Sequence, residues 1–186
     1  MRELFSPFAA HILEILVDGP RYVRELAEQT GLAPSTVHKT LWALAQNQMV
    51  LSEKQKNRKV FVLNPDSPLA QKLISLIWTA KILNTNGFRQ LKRLDPDRIL
   101  LFGSAHTGKL SKNSDIDLAI FADKKIDSFA LSEIKTRLAT ELGREINMIP
   151  FSAAKLDDMR RKKTELLNQL KYKSTVLWGT PLEIDR

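Results

Sequence analysis

Asp115 and Asp117 stand one residue apart at the start of an apolar run, Ile116 to Phe121. On a β-strand, residues i and i+2 point to the same face, roughly 6–7 Å apart, so the two carboxylates converge. Ile116, Leu118 and Ile120 alternate with them and face the other way, into a core. Paired like charges on one side of an apolar strand are costly unless a cation sits between them. Hard oxygen donors of this kind suit Mg2+. Upstream, Gly103-Ser104 directly follows a second apolar run, Ile99 to Phe102. There a residue without Cβ lets backbone N–H groups approach a phosphate, and the hydroxyl adds a donor. Ten residues, Ala105 to Ser114, separate Ser104 from Asp115, so the stretch reads as strand, polar loop, strand. Gly103-x4-Gly108-Lys109 falls short of a P-loop. Leu110 stands where that motif needs Ser or Thr on Mg2+, and the segment runs into a strand instead of opening a helix.

The pattern G-S-x10-D-x-D between apolar runs resembles the signature of the minimal nucleotidyltransferases, a branch of the DNA polymerase beta superfamily. The resemblance covers Gly103, Ser104, Gly108, Ser114, Asp115, Asp117 and the strands around them. It implies that Gly103, Ser104 and Ser114 bind nucleotide and that Asp115 and Asp117 hold the Mg2+ ions of nucleotidyl transfer from an NTP such as ATP. In this family the next strand carries a third catalytic carboxylate opposite the pair. The matching position in the expected strand Glu145–Ile149 is Asn147, which completes the catalytic set in its altered form. An amide takes no proton and, having no charge, is a weaker ligand, so the two-metal site is weakened. Glu145, two residues earlier on the same face, is a substitute ligand. Related minimal domains partner helical toxins, which makes such a toxin one candidate acceptor.

The fold class that would position these residues is α+β: an N-terminal winged helix over 1–66, connecting helices over 67–94, and a nucleotidyltransferase-like mixed sheet with helices packed on it over 95–186. The first part reads as three helices plus a hairpin. Phe8 to Val17 turns Phe8, Ile12, Ile15 and Leu16 inward. Tyr22 to Gln29 buries Val23, Leu26 and Ala27, with Gly31 as its C-cap. A third helix opens on Ala33-Pro34-Ser35, runs to about Asn47 and buries Val37, Leu41, Leu44 and Ala45. Thr30-Gly31-Leu32-Ala33 between the second and third has the spacing of a helix-turn-helix. Short strands Met49–Leu51 and Val60–Leu63 flank a tip, Ser52 to Lys59, holding four cations and one acid.

This half resembles the winged helix-turn-helix of prokaryotic transcription regulators. The resemblance implies that the third helix enters the DNA major groove with Ser35, Thr36, His38 and Lys39, while Lys54, Lys56, Arg58 and Lys59 of the wing meet phosphates. Trp42 reads as either core or interface. Charge agrees with a polyanion partner. Residues 1–94 hold 13 Lys/Arg against 7 Asp/Glu, and residues 95–186 hold 16 against 14, within a net charge of +8.

Leu69 to Leu83 reads as a helix with Leu69, Leu73, Leu76, Ile77, Ala80 and Leu83 on one stripe and Ile74, Trp78 and Ile82 on a second flank. That is broad enough to pack between domains or to pair with its copy in a homodimer. Asn84 to Gly87 breaks it before a short helix, Phe88 to Leu94. Beyond Phe121, Asp123-Lys124-Lys125 is a turn, Ser128 to Leu142 an amphipathic helix capped by Gly143, and Lys155 to Tyr172 one long helix with a solvated Arg160–Lys163 run. Ser174 to Gly179 is a last strand. His106 reads as an exposed loop histidine.

The absence of cysteine excludes a disulfide framework and a thiolate metal site. No apolar run nears the ~18–20 residues of a membrane span, and Met1-Arg2-Glu3-Leu4 does not read as a signal peptide. A cytoplasmic protein that binds double-stranded DNA and nucleotide, and no membrane, is expected. Two functions compete. One is an active nucleotidyltransferase moving a nucleoside monophosphate to an acceptor hydroxyl under the control of a DNA-binding domain. The other is a transcription regulator that senses nucleotide without turning it over, with Asn147 in place of the third carboxylate. A protein–protein scaffold is the third option.

Overall fold

The computed structural model describes residues 6–124 and 126–182. The reading of Met1 to Leu4, and Lys125 of the expected turn, lie outside the described residues. The chain divides into two compact units, 1–77 with 108–112, and 78–107 with 113–186.

The first unit starts with helices α1 (Pro7–Val17), α2 (Val23–Thr30) and α3 (Pro34–Gln46). Ser6 caps α1, its side chain accepting from the Ala9 N–H at 3.1 Å. The buried face of α1 is Ala9, Ile12, Leu13, Leu16 and Val17, whereas Phe8 is exposed and Ile15 half-buried. The expected stripe is therefore rotated. Apolar residues ring most of this helix, so periodicity alone does not choose among its faces. In α2, Leu26 and Ala27 are buried as expected, and Gly31 ends the helix in the left-handed region at φ 70°. In α3, Val37, Leu41 and Leu44 join the same core.

Strands β1 (Val50–Gln55) and β2 (Arg58–Leu63) form an antiparallel hairpin. It is tighter than expected, because pairing continues to Gln55 opposite Arg58. Lys56 and Asn57 make the turn with φ of 46° and 63°. Positive φ at both central residues matches the right-handed twist of the flanking strands. The linker before α2 also pairs with this hairpin. Arg21 and Phe61 exchange backbone hydrogen bonds at 3.0 and 2.8 Å, a short bridge that carries no mark in the sequence.

Helix α4 (Pro68–Asn84) buries Ala70, Ile74, Trp78 and Ile82 and leaves Leu69, Leu76 and Leu83 exposed. The flank taken as secondary is thus the core-facing one. Thr85 then caps α5 (Asn86–Arg93), its hydroxyl accepting from the Phe88 N–H at 3.1 Å.

The second unit is built on a four-stranded mixed sheet in the order β5-β4-β3-β6. Its strands are β3 (Arg98–Phe102), β4 (Ile116–Phe121), β5 (Ile146–Phe151) and β6 (Thr175–Gly179). β3 is antiparallel to both β4 and β6, and β4 is parallel to β5 through the crossover helix α7 (Ser128–Leu142). Ile99, Leu100, Leu101, Ile116, Leu118, Ala119 and Ile120 are wholly buried, so the central strands have apolar contacts on both faces. The expected helix from Lys155 to Tyr172 is two helices, α8 (Ala153–Lys162) and α9 (Glu165–Tyr172). Lys163 takes φ 47°, and Thr164 restarts the chain as an N-cap, its side chain accepting from the Leu167 N–H at 3.3 Å. Of the Arg160–Lys162 run expected to be solvated, Arg161 and Lys162 are exposed and Arg160 is half-buried, and all three pair with Asp157 or Asp158 along the helix. Among the described residues, no helix is long and apolar enough to cross a membrane.

Candidate functional site

The sheet register gathers the chemistry. Phe102 at the end of β3 lies opposite Asp117, and Asp117 in turn lies opposite Asn147 across the parallel β4–β5 pair. Immediately after Phe102, Gly103 takes φ 69° and turns the chain into a one-turn helix, α6 (Gly103–Thr107). The expected loop is thus helical where it leaves the strand. A side chain at Gly103 would run into Asp117 Oδ2, so the Gly103 backbone lies directly against that carboxylate. The other oxygen is held from the far side, where Asn147 Nδ2 donates to Asp117 Oδ1 at 3.0 Å.

Asp117 is half-buried in this grip, and Asp115, one residue before β4, is exposed. Burial pushes the Asp117 carboxyl above the usual carboxylate range. The Asn147 hydrogen bond pulls it back, and the Asp115 charge nearby adds a further upward push. That mutual repulsion is the energetic mark of converging carboxylates. A divalent cation between the two would relieve it, and Mg2+ is commonly held by one or two carboxylates plus substrate phosphates. The donor set therefore fits Mg2+, with Asp115, Asp117 and the Asn147 amide oxygen available. Among the described residues, no cluster of three or more His, Cys, Asp or Glu side chains could hold a metal ion.

Ser104 sits in α6, and its carbonyl accepts from the Thr107 hydroxyl at 3.2 Å. Ser114 is half-buried just before β4. Glu145 precedes β5 with its side chain exposed, and its carbonyl accepts from the Ile116 N–H at 2.9 Å. His106 is not the exposed loop residue it was expected to be: it is half-buried in α6, with Nδ1 2.9 Å from Thr175 Oγ1. Sequence reasoning missed Gln169 and Lys173, which line a cleft of about 180 Å3 with Gly103 and Thr107. They come from α9 and its C-cap, far along the chain, and no motif marks them.

In the first unit, Ser35, His38 and Lys39 are exposed at helical spacing on α3, and Thr36 is half-buried. Trp42 lies on the same face and is 60% exposed, so it is no part of the core. On the wing, Lys54, Lys56, Arg58 and Lys59 are all exposed. Lys54 and Lys59 stand directly opposite each other, an arrangement that is unfavourable by itself and that a polyanion relieves. Arg58 lies 6.0 Å from the centre of the Tyr22 ring and Lys59 5.3 Å from that of Phe61, so both cations rest on aromatic faces.

Residues 88–178 match the family model described as polymerase beta, nucleotidyltransferase, and residues 9–53 match that of the IclR helix-turn-helix domain. The chain joins a helix-turn-helix domain to a polymerase beta-type nucleotidyltransferase domain. A curated relative of the nucleotidyltransferase domain, the protein adenylyltransferase MntA of Shewanella oneidensis, is 34% identical over 82 residues, 44% of this chain and 53% of its own length. The chain thus spans about half the length of that relative. Similar solved structures include a mutant MntA–HpeT toxin–antitoxin complex, 28% identical, covering 50% of this chain and 69% of its own, with a TM-score of 0.39. Another is the tri-AMPylated Shewanella oneidensis HEPN toxin in complex with MNT antitoxin, 25% identical, covering 57% and 73%, with a TM-score of 0.38.

Proposed function

We propose that the nucleotidyltransferase domain binds Mg-NTP, with ATP as one such nucleotide, and transfers its nucleoside monophosphate to an acceptor hydroxyl. The helix-turn-helix domain binds double-stranded DNA and ties that activity to a promoter. The observation that carries the first part is the grip on Asp117 by Gly103 and Asn147, with the Asp115 charge beside it. Asp115 and Asp117 would hold Mg2+, which when bound neutralises phosphate charge and stabilises both the attacking and leaving oxygens. Gly103, Ser104 and Ser114 would bind the phosphates. The acceptor hydroxyl's oxygen bonds to the α-phosphorus as the bond to pyrophosphate breaks, and its proton passes to solvent. The match to a protein adenylyltransferase supports a protein hydroxyl as acceptor, and the resemblance to toxin-paired minimal domains supports a helical toxin.

For DNA, the exposed Ser35, His38 and Lys39, with Thr36 beside them, would read the major groove, and Lys54, Lys56, Arg58 and Lys59 would contact phosphates. The working segments are 1–66 for DNA, 67–94 as connection and 95–186 for nucleotide. The seven-residue spacing of exposed Leu69, Leu76 and Leu83 supports pairing with a second copy, which suits a two-fold operator. A cytoplasmic setting follows from this reading.

One observation favours a second reading, in which nucleotide is sensed and not turned over. Asn147 donates to Asp117, a bond a carboxylate could not supply, and it cannot accept the acceptor's proton. Incubation of the protein with labelled NTP, Mg2+ and cell extract separates the two. Transfer by the wild-type chain that vanishes in Asp115→Ala and rises in Asn147→Asp supports catalysis. Binding of Mg-NTP with no transfer, restored by Asn147→Asp, supports a sensor.

A further inference from the structure

Helix α3 turns one continuous stripe to solvent: Ser35, His38, Lys39, Trp42 and Gln46, at helical spacings of three and four. Val37, Leu41 and Leu44 hold the other side of the helix in the core. Trp42 is the odd member of the stripe. It is the one large apolar side chain among polar ones, and 60% of it is exposed. The other two tryptophans, Trp78 and Trp178, each have a lysine ammonium against the ring, at 4.6 and 5.1 Å from its centre. Among the described residues, no ring or cation engages Trp42 in this way. An indole offers a large rigid face at little cost in side-chain entropy, which is why interfaces are rich in tryptophan.

The charge around Trp42 selects the partner. Its stripe holds Lys39 and no carboxylate, and the same unit carries the exposed wing cations Lys54, Lys56, Arg58 and Lys59. A second copy seated on this face would set positive charge against positive charge, whereas a nucleic acid meets it with phosphates. Reach agrees. From Ser35 to Trp42 an α-helix rises about 10 Å, at ~1.5 Å per residue. The major groove of B-DNA is about 12 Å wide. A helix that brings Ser35 and Thr36 to base edges therefore carries Trp42 to the border of the groove, where deoxyribose carbons and thymine methyl groups present apolar surface.

We propose that Trp42 is an apolar anchor of the DNA interface, its indole packing on that surface at the groove border. This rests on the DNA reading above and adds to it a contact of a different kind. Lysine contacts gain affinity by releasing counterions, so they fade as salt rises. Burial of an indole displaces no counterion, and its contribution survives salt. Trp42 thereby keeps the helix seated under conditions in which the wing has lost most of its pull.

The test uses the full chain and a fluorescein-labelled duplex that the wild type selects from a random-sequence pool. Anisotropy titrations over a salt series compare the wild type, Trp42→Ala and Trp42→Phe, with a thermal melt and sedimentation velocity of each. Trp42→Ala is expected to weaken binding about tenfold at every salt concentration, a constant ~1.4 kcal/mol, with the slope of log affinity against log salt unchanged. Trp42→Phe is expected to regain part of the loss, and all three chains to melt and sediment alike. Equal affinity in the wild type and Trp42→Ala overturns the anchor and leaves the DNA reading standing, as does a loss confined to low salt. A change in sedimentation on Trp42→Ala assigns the indole to pairing between copies and also overturns it. A wild-type chain that retains no duplex from the pool overturns both.

Discussion

Two antiparallel strand pairs in this chain handle charge in opposite ways. In β1–β2 Val50, Val60 and Phe61 are buried and Val62 and Leu63 half-buried, and the rest of the hairpin stands in solvent carrying Lys54, Lys56, Arg58 and Lys59. In β3–β4 every side chain but Arg98 and Asp117 is buried, and the half-buried Asp117 is clamped between a glycine backbone and an amide. The wing offers a polyanion four exposed cations, two of them resting on aromatic faces. Its contribution is a sum of small, salt-sensitive terms. The β3–β4 pair fixes one carboxylate in one place and pays for it in desolvation, so its contribution is concentrated in a few atoms. Affinity without shape belongs to the first pair, and placement to the second.

Substitutions that attack placement have the largest expected effects. Gly103→Ala puts a methyl group against Asp117 Oδ2 at a φ of 69° that L-residues rarely adopt. It is expected to abolish Mg-NTP binding and to lower stability by about 1–3 kcal/mol, read as a fall of several degrees in the thermal midpoint. A variant with wild-type nucleotide affinity would show that the close approach of Gly103 to Asp117 is irrelevant to the ligand. The wing should respond differently. Lys54→Ala and Arg58→Ala are each expected to weaken binding of duplex DNA only severalfold, to leave nucleotide affinity unchanged, and to lower the slope of log affinity against log salt by about 0.9 apiece. A single wing substitution that abolished DNA binding would erase the contrast between the pairs. So would wild-type binding that ignored salt.

The features legible in the sequence are the ones with short-range causes. The paired aspartates and Gly103-Ser104 were visible because a two-residue strand spacing and a glycine at the end of an apolar run need no knowledge of distant residues. The antiparallel wing and the helix-turn-helix were visible for the same reason, although the hairpin turn proved shorter than the cationic tip implied. The bond from Asn147 to Asp117 was not legible from spacing, because it depends on the β4–β5 register, which brings together residues 30 apart in the chain. Where apolar residues ring a helix, the buried face was misjudged. Phe8 lies outside α1, and Leu69, Leu76 and Leu83 lie outside on α4, because periodicity cannot rank two apolar faces without their partners. The break between α8 and α9 did leave a sign, Thr164 followed by Glu165, which is ordinary helix-start chemistry, but the continuing apolar pattern masked it. Lys173 lies in the cleft beside Gly103 only through tertiary packing, and no pattern in the chain points to it.

In the proposed site the Asp115–Asp117 pair beside Gly103 holds a nucleotide through Mg2+. Calorimetric titration of ATP into the wild type and Asp117→Ala, with and without Mg2+, tests it most directly. The expected result is binding by the wild type that depends on Mg2+ and falls at least ~100-fold in Asp117→Ala, as when a principal charge of a preorganised site is removed. Affinity that is the same with and without Mg2+, or the same in Asp117→Ala, would contradict it.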